Sequence, residues 1–397
     1  MTILLIAFVL ILCVPSYFLS LEIVLGVFLG RRSKGKTLID EGDQVSSVIL
    51  IPAHNEESII AETLLSLTAE LTPNDRVVIV ADNCSDSTAK IAKSFNFTVL
   101  ERTNSQCRGK GFALAHGVSF LEEEGAEVDV VVVLDADCVF EAGSLRQLIL
   151  CASRKQAPVQ GSYLLHLPEG SKSHHKVSEF AIYIKNHVRP AGLASLGGSV
   201  PITGSGFAVP FHLLRRVSLA SGEIVEDMKL GVDLMLQGYG TAFCPQATIR
   251  SLLPLTQDVA DGQRKRWEHG HLSVIARYFP RLFSRGLFRA NTKLIFTALD
   301  FSVLPLVFLL AVNSLLLLFF LLFAVLLNSW VPFLIILGAQ LFVLLSLFVA
   351  NVFSRPRYLK ITDAFYALRF IAGKVTVYTA LVSGKKSSWV KTQRDKH

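Results

Sequence analysis

Charge is scarce in this chain. Asp, Glu, Lys and Arg together make up 18% of its 397 residues, below the quarter or so usual in soluble domains. Cysteine is sparse as well. The six cysteines (Cys13, Cys84, Cys107, Cys138, Cys151 and Cys244) are scattered without a C-x-x-C pair. That excludes a disulfide scaffold and a zinc ribbon, and it fits a reducing compartment. Lys110 is followed by Gly111 and not by Ser or Thr, so Arg108-Gly-Lys-Gly111 is not a P-loop. The middle of the chain lacks a tract mixing basic and aromatic residues, so nucleic acid is not an expected partner. The net charge of +7 instead collects beside apolar segments, where anionic lipid headgroups explain it better.

Apolar residues are abundant, at 51%, and they concentrate at the two ends. Residues 3–30 are long and apolar enough for a tilted span. Arg31, Arg32, Lys34 and Lys36 follow that run instead of preceding it, which argues for an anchor and against a cleaved signal peptide. The positive-inside rule then puts the amino terminus outside and the middle in the cytoplasm. Two further spans, 301–327 and 331–353, are separated only by Asn328-Ser329-Trp330 and must form a hairpin. Arg355, Arg357 and Lys360 follow it, and Lys385, Lys386, Lys391 and Arg394 end the chain, all on the same inner side. The spans read as free of convincing buried charge, which argues against a transporter. In 272–289, Arg277, Arg281, Arg285 and Arg289 recur every fourth residue beside Ile275, Tyr278, Phe279, Leu282 and Phe283, the pattern of a basic amphipathic helix at a membrane surface. Residues 362–384, interrupted by Arg369 and Lys374, read as a second interfacial helix in preference to a fourth span. The expected organisation is therefore an anchor over 1–36, a cytoplasmic domain over 45–271, an interfacial helix and membrane entry over 272–300, a transmembrane hairpin over 301–353, and an interfacial helix with a basic tail over 354–397.

The middle alternates strand-like apolar runs with helical patterns, which predicts an α/β domain with a mostly parallel sheet. Ser47–Ile51, Arg76–Val80, Thr98–Glu101 and Val128–Leu134 are the strand candidates. Each ends in a polar cluster: Pro52–Glu57, Asp82–Asp86, Arg102–Lys110 and Asp135–Asp137. Ligands of such sheets sit beyond the carboxyl ends of the strands, so four clusters at one edge point to a single site.

Asp135-Ala-Asp137 carries the sharpest chemistry. Two carboxylates closing a buried strand can hold one hard divalent cation, Mg²⁺ or Mn²⁺, which bridges to a diphosphate. A plain turn is the alternative for that triplet taken alone. Asp82, also at a strand end, can accept ribose or base hydrogen bonds, while Asn83 and Asp86 suit a helix cap equally well. Arg108-Gly-Lys-Gly111 offers cations on a permissive backbone that could approach phosphate. Glu226-Asp227 opens a helical run, where acidic residues also favour the macrodipole. Gln263-Arg-Lys-Arg-Trp267 combines an amide, a guanidinium and an indole able to stack on a sugar face. Gly204-Ser-Gly206 reads as a loop near an acceptor or as a simple turn.

In order and rough spacing, Ile51-Pro-Ala-His-Asn-Glu-Glu57, Asp82-Asn83, Arg108-Gly-Lys-Gly111, Asp135-Ala-Asp137, Glu226-Asp227 and Gln263-x-x-Arg266-Trp267 resemble the family 2 glycosyltransferases. The likeness is greatest to the membrane-embedded branch that includes cellulose, chitin and hyaluronan synthases, and it covers about 45–275. It implies a GT-A fold and an inverting transfer from a nucleotide-sugar donor, with UDP as the nucleotide. By the same resemblance, Pro52, Ala53, Asn55, Glu56 and Asp82 hold the nucleoside, and Lys110 lies near the donor. Asp135 and Asp137 hold Mg²⁺ or Mn²⁺, and Asp227 is the base, with Glu226 shaping its surroundings. Arg266 neutralises the departing diphosphate, and Gln263 and Trp267 meet the acceptor. The expected protein is an integral membrane enzyme of the bacterial inner membrane with a cytoplasmic catalytic domain. Its acceptor is a growing polysaccharide or oligosaccharide, processive extension included, with single transfer to a polyprenyl phosphate or ceramide-like lipid as the rival. Membrane lipids and further polysaccharide-assembly subunits complete the set of expected partners.

Overall fold

The computed structural model describes residues 2–30, 44–167, 173–221, 225–253, 257–354 and 357–360, without the side chains of 2, 173–175 and 257–269. The chain divides into two compact units. The strands are β1 (Ser47–Ala53), β2 (Asp75–Asp82), β3 (Thr98–Arg102), β4 (Val130–Val133), β5 (Val139–Phe140), β6 (Val159–His166), β7 (Phe207–Pro210) and β8 (Ala242–Leu252). The helices begin with α1 (Thr2–Phe28), α2 (Ile60–Thr68), α3 (Thr88–Lys93), α4 (Lys110–Glu123) and α5 (Ser144–Lys155). Then come α6 (Ser173–Tyr183), a π-helical turn over Ile184–Val188, α7 (Arg189–Ser195), α8 (Phe211–Leu214) and α9 (Glu226–Leu236). The last are α10 (Gln257–Phe288), α11 (Thr292–Ser302), α12 (Leu306–Leu327) and α13 (Val331–Phe353).

One unit is a sheet of order β3-β2-β1-β4-β7-β6-β8-β5. Strands β1 to β4 are mutually parallel, as are β6 and β8, while β7 runs antiparallel between β4 and β6. The period of two in each strand builds two cores at once. Ile49, Ile51, Val77, Ile79, Val130 and Val132 join one cluster, and Val48, Leu50, Val78, Val80, Val131 and Val133 join the other. Burial of each such side chain contributes about 1.5–3 kcal/mol, so the central strands are rigid and their carboxyl ends are fixed in register. The four expected strands are present, each within a few residues of the expected bounds. All six cysteines are free.

The other unit gathers α1, residues 167–198 and the helices from α10 onward. Residues 167–198 thus cluster with the apolar helices, and the stretch 45–271 is not one continuous compact unit. Among the described residues, three helices are long and apolar enough to cross a membrane: Ile3–Phe28, Leu306–Leu327 and Val331–Phe353. The second begins later than the expected 301. Pro305 cannot continue a helix from the preceding turn and disfavours helical backbone at Leu304, so Phe301 belongs to α11 instead. Asn328 ends α12 in a left-handed conformation (φ 48°), and Trp330 starts α13, which gives the expected tight hairpin. Asn313 donates to Ser16 at 3.0 Å, a helix-packing role. Residues 272–288 are helical as expected but belong to the longer α10. Its face of His271, Val274, Tyr278 and Leu282 is buried, and Arg277, Arg281, Arg285 and Arg289 are exposed.

One expectation is overturned here. Glu22, inside α1, is fully buried and pairs with Arg189 at 3.2 Å, and Arg189 pairs in turn with Asp300 at 2.6 Å. A glutamate in an apolar helix is tolerated because a guanidinium from α7 meets it. Small residues let α7 come that close: a Cβ at Gly192 would lie 2.0 Å from the Glu22 carbonyl oxygen. The segment 362–384 lies outside the described residues.

Candidate active site

The loops after β1, β2, β3 and β4 lie at one edge of the sheet, because these strands are parallel. Pro52 and Ala53 end β1 opposite Val80 and Ala81. Asn55 turns the chain with φ 55°, and its side-chain oxygen accepts from the Ser85 amide at 2.7 Å. The Glu56 amide donates to Thr88 Oγ1 at 2.7 Å. Asp86 accepts from the Thr88 amide at 3.0 Å and from the Glu57 amide at 3.2 Å. Asp86, one residue before the N-cap Ser87 of α3, therefore ties the first two loops together. Asn83, left-handed at φ 52°, bonds Asp82 through Nδ2 at 2.9 Å and accepts from the Asn104 amide at 2.8 Å.

Asp82 is buried, and its carboxylate pairs with Arg102 at 2.5 Å. The sheet register places Arg102 of β3 directly opposite Asp82 of β2. Sequence reasoning gave Arg102 no role, since strand pairing cannot be read from either strand alone. Beside this pair lies an open cleft of about 510 Å³ lined by Asn83, Thr103, Asn104, Ser105 and Arg108, large enough for part of a small-molecule ligand.

Past β4 the site tightens. The Lys110 ammonium pairs with Asp135 and donates to the Gly204 carbonyl oxygen, both at 2.5 Å. The Gly204 amide donates to Asp227 Oδ2, and the Met228 amide donates to Asp227 Oδ1 at 2.8 Å. Asp227 thus stands at the start of α9 and also in the cluster. The Asp135 amide donates to Ser205 Oγ at 2.9 Å. Lys110 and Asp227 are therefore joined through the backbone of one residue, Gly204, and Lys110 carries the link on to Asp135. At Gly206, φ is +68° and a Cβ would lie 2.3 Å from Ile249, so only glycine fits this turn.

Burial raises the proton affinity of Asp135, Lys110 opposes that and Asp137 adds to it; the net direction is upward. Burial disfavours the Lys110 ammonium, but Asp135, Glu226 and Asp227 outweigh it, so Lys110 holds its proton above the usual lysine range. Burial and the neighbouring Asp227 charge push Glu226 up to about 8.

Asp135, Asp137 and the Cys138 thiol have ligand atoms within 4.8 Å of one another, a spacing that one divalent ion can bridge. The two aspartates are half-buried, and Ser251 Oγ donates to Asp137 Oδ2 at 3.3 Å. Hard carboxylate oxygens fit Mg²⁺ or Mn²⁺. Gln263, Arg266 and Trp267 fall on α10, with side chains outside the described residues. Gln160 and Tyr163 of β6 were missed: the first holds the Gly204 loop, and the second brings its hydroxyl 3.8 Å from Cys138. A polar residue inside an apolar strand run, as in Pro158-Val159-Gln160-Gly161, was the available signal for Gln160.

Comparison with known proteins identifies the family and the fold. The family model described as "Glycosyltransferase like family 2" matches residues 46–270. A probable glycosyltransferase of Bacillus subtilis, YdaM, is 28% identical over 59% of this chain and 57% of its own length. The poly-beta-1,6-N-acetyl-D-glucosamine synthase of Staphylococcus epidermidis is 26% identical over 64% of this chain and 61% of its own. The chain thus spans about three-fifths of the length of these relatives. Among solved structures, the mannosyltransferase PcManGT of Pyrobaculum calidifontis, in complex with GDP-Man and Mn²⁺, superposes with a TM-score of 0.51 at 16% identity. That match covers 88% of this chain and 99% of the other. It shows the fold, a GT-A-like α/β domain with apolar helices.

Proposed function

Since the chain belongs to the family 2 glycosyltransferases, we propose that it is an inverting enzyme that moves a sugar from a UDP-sugar to a growing polysaccharide at the inner membrane of a bacterium. The observation that carries this reading is the cluster of Lys110, Asp135 and Asp227 around the Gly204 peptide. It sets a cation, a metal-type carboxylate and a base candidate within one small volume. The likeness to poly-N-acetylglucosamine synthases supports polymer as the product.

Asp135 and Asp137 would hold Mg²⁺ or Mn²⁺, which when bound neutralises charge on the donor diphosphate. Lys110 keeps its proton and stands as a fixed cation for the phosphates. Asp82, braced by Arg102, and the loop of Pro52, Ala53, Asn55 and Glu56 hold the nucleoside. Inversion needs a base that takes the proton from the acceptor hydroxyl as its oxygen attacks the anomeric carbon. By family resemblance Asp227 takes that task, and Glu226 beside it, whose proton affinity is raised by burial and the Asp227 charge, shapes its surroundings. The roles of Gln263 and Trp267 at the acceptor, and of Arg266 at the leaving diphosphate, rest on family resemblance. The exposed arginine face of α10 suits anionic headgroups at a bilayer surface, with the sheet unit on the cytoplasmic side.

Product analysis tests the reading. Purified full-length protein in anionic-lipid nanodiscs is incubated with Mn²⁺ and UDP-N-acetylglucosamine, and in parallel with other UDP-sugars. A ladder of long products on a size-resolving gel is expected. A single sugar on a lipid would establish the lipid-acceptor rival, and no UDP release from any donor would refute the transferase reading.

A further inference from the structure

The loop 203–206 joins Lys110, Asp135 and Asp227, yet it has little to hold it in place by itself. It lies between β6 and β7, in a stretch that contains two glycines with positive φ, Gly204 at +61° and Gly206 at +68°. Glycines of this kind leave a loop free to adopt other conformations unless something fixes it. Lys110 and Asp227 hold Gly204 in the middle, and a third side chain holds the two ends. Gln160 of β6 is 1% exposed, and its carboxamide Nε2 donates to the carbonyl oxygens of Ser205 at 3.0 Å and Gly206 at 3.2 Å. Nε2 also lies 3.0 Å from the Gly161 carbonyl oxygen. At the other end of the loop, Gln160 Oε1 accepts from the Thr203 amide at 2.9 Å. Both ends of the loop are therefore bonded to one buried carboxamide. The backbone adds the Gly161 amide on the Gly206 oxygen and the Gly206 amide on the Val133 oxygen, each at 2.9 Å.

The surroundings explain why a glutamine stands there. The register of β6 on β8 shifts between Gly161 and Ser162. Such irregularities re-aim side chains next to active sites. An amide offers donors and an acceptor on one rigid plane, which matches carbonyls on one side and an N–H on the other. A charged residue at this depth would face carbonyl oxygens without a counter-ion, and an apolar one would leave buried groups unpaired.

We propose that Gln160 is a positioning residue of the transfer reaction: its carboxamide clamps loop 203–206 so that the Gly204 backbone presents its N–H to Asp227 and its carbonyl oxygen to Lys110. This inference rests on the reading of Asp227 as the base. Lys110 and Asp135 also pair directly, so they keep each other when the clamp is lost, whereas the Asp227 side chain loses one of its two backbone donors. The loss therefore falls on the chemical step more than on donor binding.

The test uses full-length Gln160→Met, which keeps chain length and removes every carboxamide bond, beside the gentler Gln160→Asn, which keeps the amide one methylene short. Three quantities are read. They are binding of UDP with Mn²⁺ by calorimetry, single-turnover UDP release from UDP-N-acetylglucosamine, and amide hydrogen exchange in the peptide covering 203–206. Gln160→Met is expected to bind UDP within about threefold of the parent. Its turnover should fall about 10- to 100-fold, the scale of a misplaced catalytic group, and exchange in 203–206 should speed up. Gln160→Asn should fall between the two, and it carries the test if the Met variant does not fold. Parent-like turnover, slowed turnover with unchanged exchange, or UDP binding weakened as much as turnover would each overturn the proposal. If the parent releases no UDP from any UDP-sugar of the panel, the transferase reading fails. Exchange then decides the clamp alone, and an unchanged rate in Gln160→Met overturns it.

Discussion

Asp227→Asn separates chemistry from architecture more cleanly than any other substitution. The variant keeps the shape of the side chain and loses its basicity. General-base contributions are about 10²–10⁴-fold, which at 1.36 kcal/mol per factor of ten is about 3–5 kcal/mol of barrier. The structural cost is smaller. Asp227 accepts from two backbone donors, Gly204 and Met228, and an asparagine offers only one oxygen to them. One N–H loses its partner, a penalty of about 1–3 kcal/mol if it is dry, and less here because Asp227 is half-buried. Turnover should therefore collapse while the protein stays folded and still binds UDP with Mn²⁺. Single-turnover UDP release, set beside calorimetric UDP binding and a melting curve, measures all three. A rate within a fewfold of the parent would show that Asp227 is not the base, and Glu226 or Glu223 would be the next candidates.

Asp135→Asn and Asp137→Asn should each weaken Mn²⁺-dependent UDP binding and leave melting near the parent; full activity in excess chelator would remove the metal from the reaction. Arg102→Met should destabilise the sheet unit by about 3–5 kcal/mol, the cost of leaving a buried carboxylate unpaired, and the double variant with Asp82→Asn should recover part of the melting temperature. Glu226 gives a pH signature. Its folded value of about 8 lies above its ordinary 4.5, so between those values the folded protein keeps a proton that the unfolded chain releases. Stability then falls as pH rises through that window, by at most about 1.4 kcal/mol per unit. Glu226→Gln should flatten the drop in melting temperature between pH 5 and 8, and an unchanged slope would count against the shift. Ser329→Cys in a cysteine-depleted protein should label from the outside with an impermeant maleimide; labelling only after lysis would reverse the topology.

What the sequence determined was whatever depends on neighbours along the chain. Apolar length marked all three membrane-length helices, because spanning a bilayer is a property of a continuous run. The four-valine run Val130–Val133 and its three parallel partners were legible for the same reason, and their polar ends led to Asp82, Lys110, Asp135 and Asp227. Tertiary structure decided which of these groups meet, and through what. Arg102 gains its meaning only from the register that sets it opposite Asp82. Glu22 is buried in α1 because Arg189, 167 positions away, reaches it. Gln160 acts across 43 positions on Thr203. In each case a polar group is stable in the interior because a partner distant in sequence satisfies it. The cost of burying such a group unpaired is local, but the partner that removes the cost is supplied only when the chain folds.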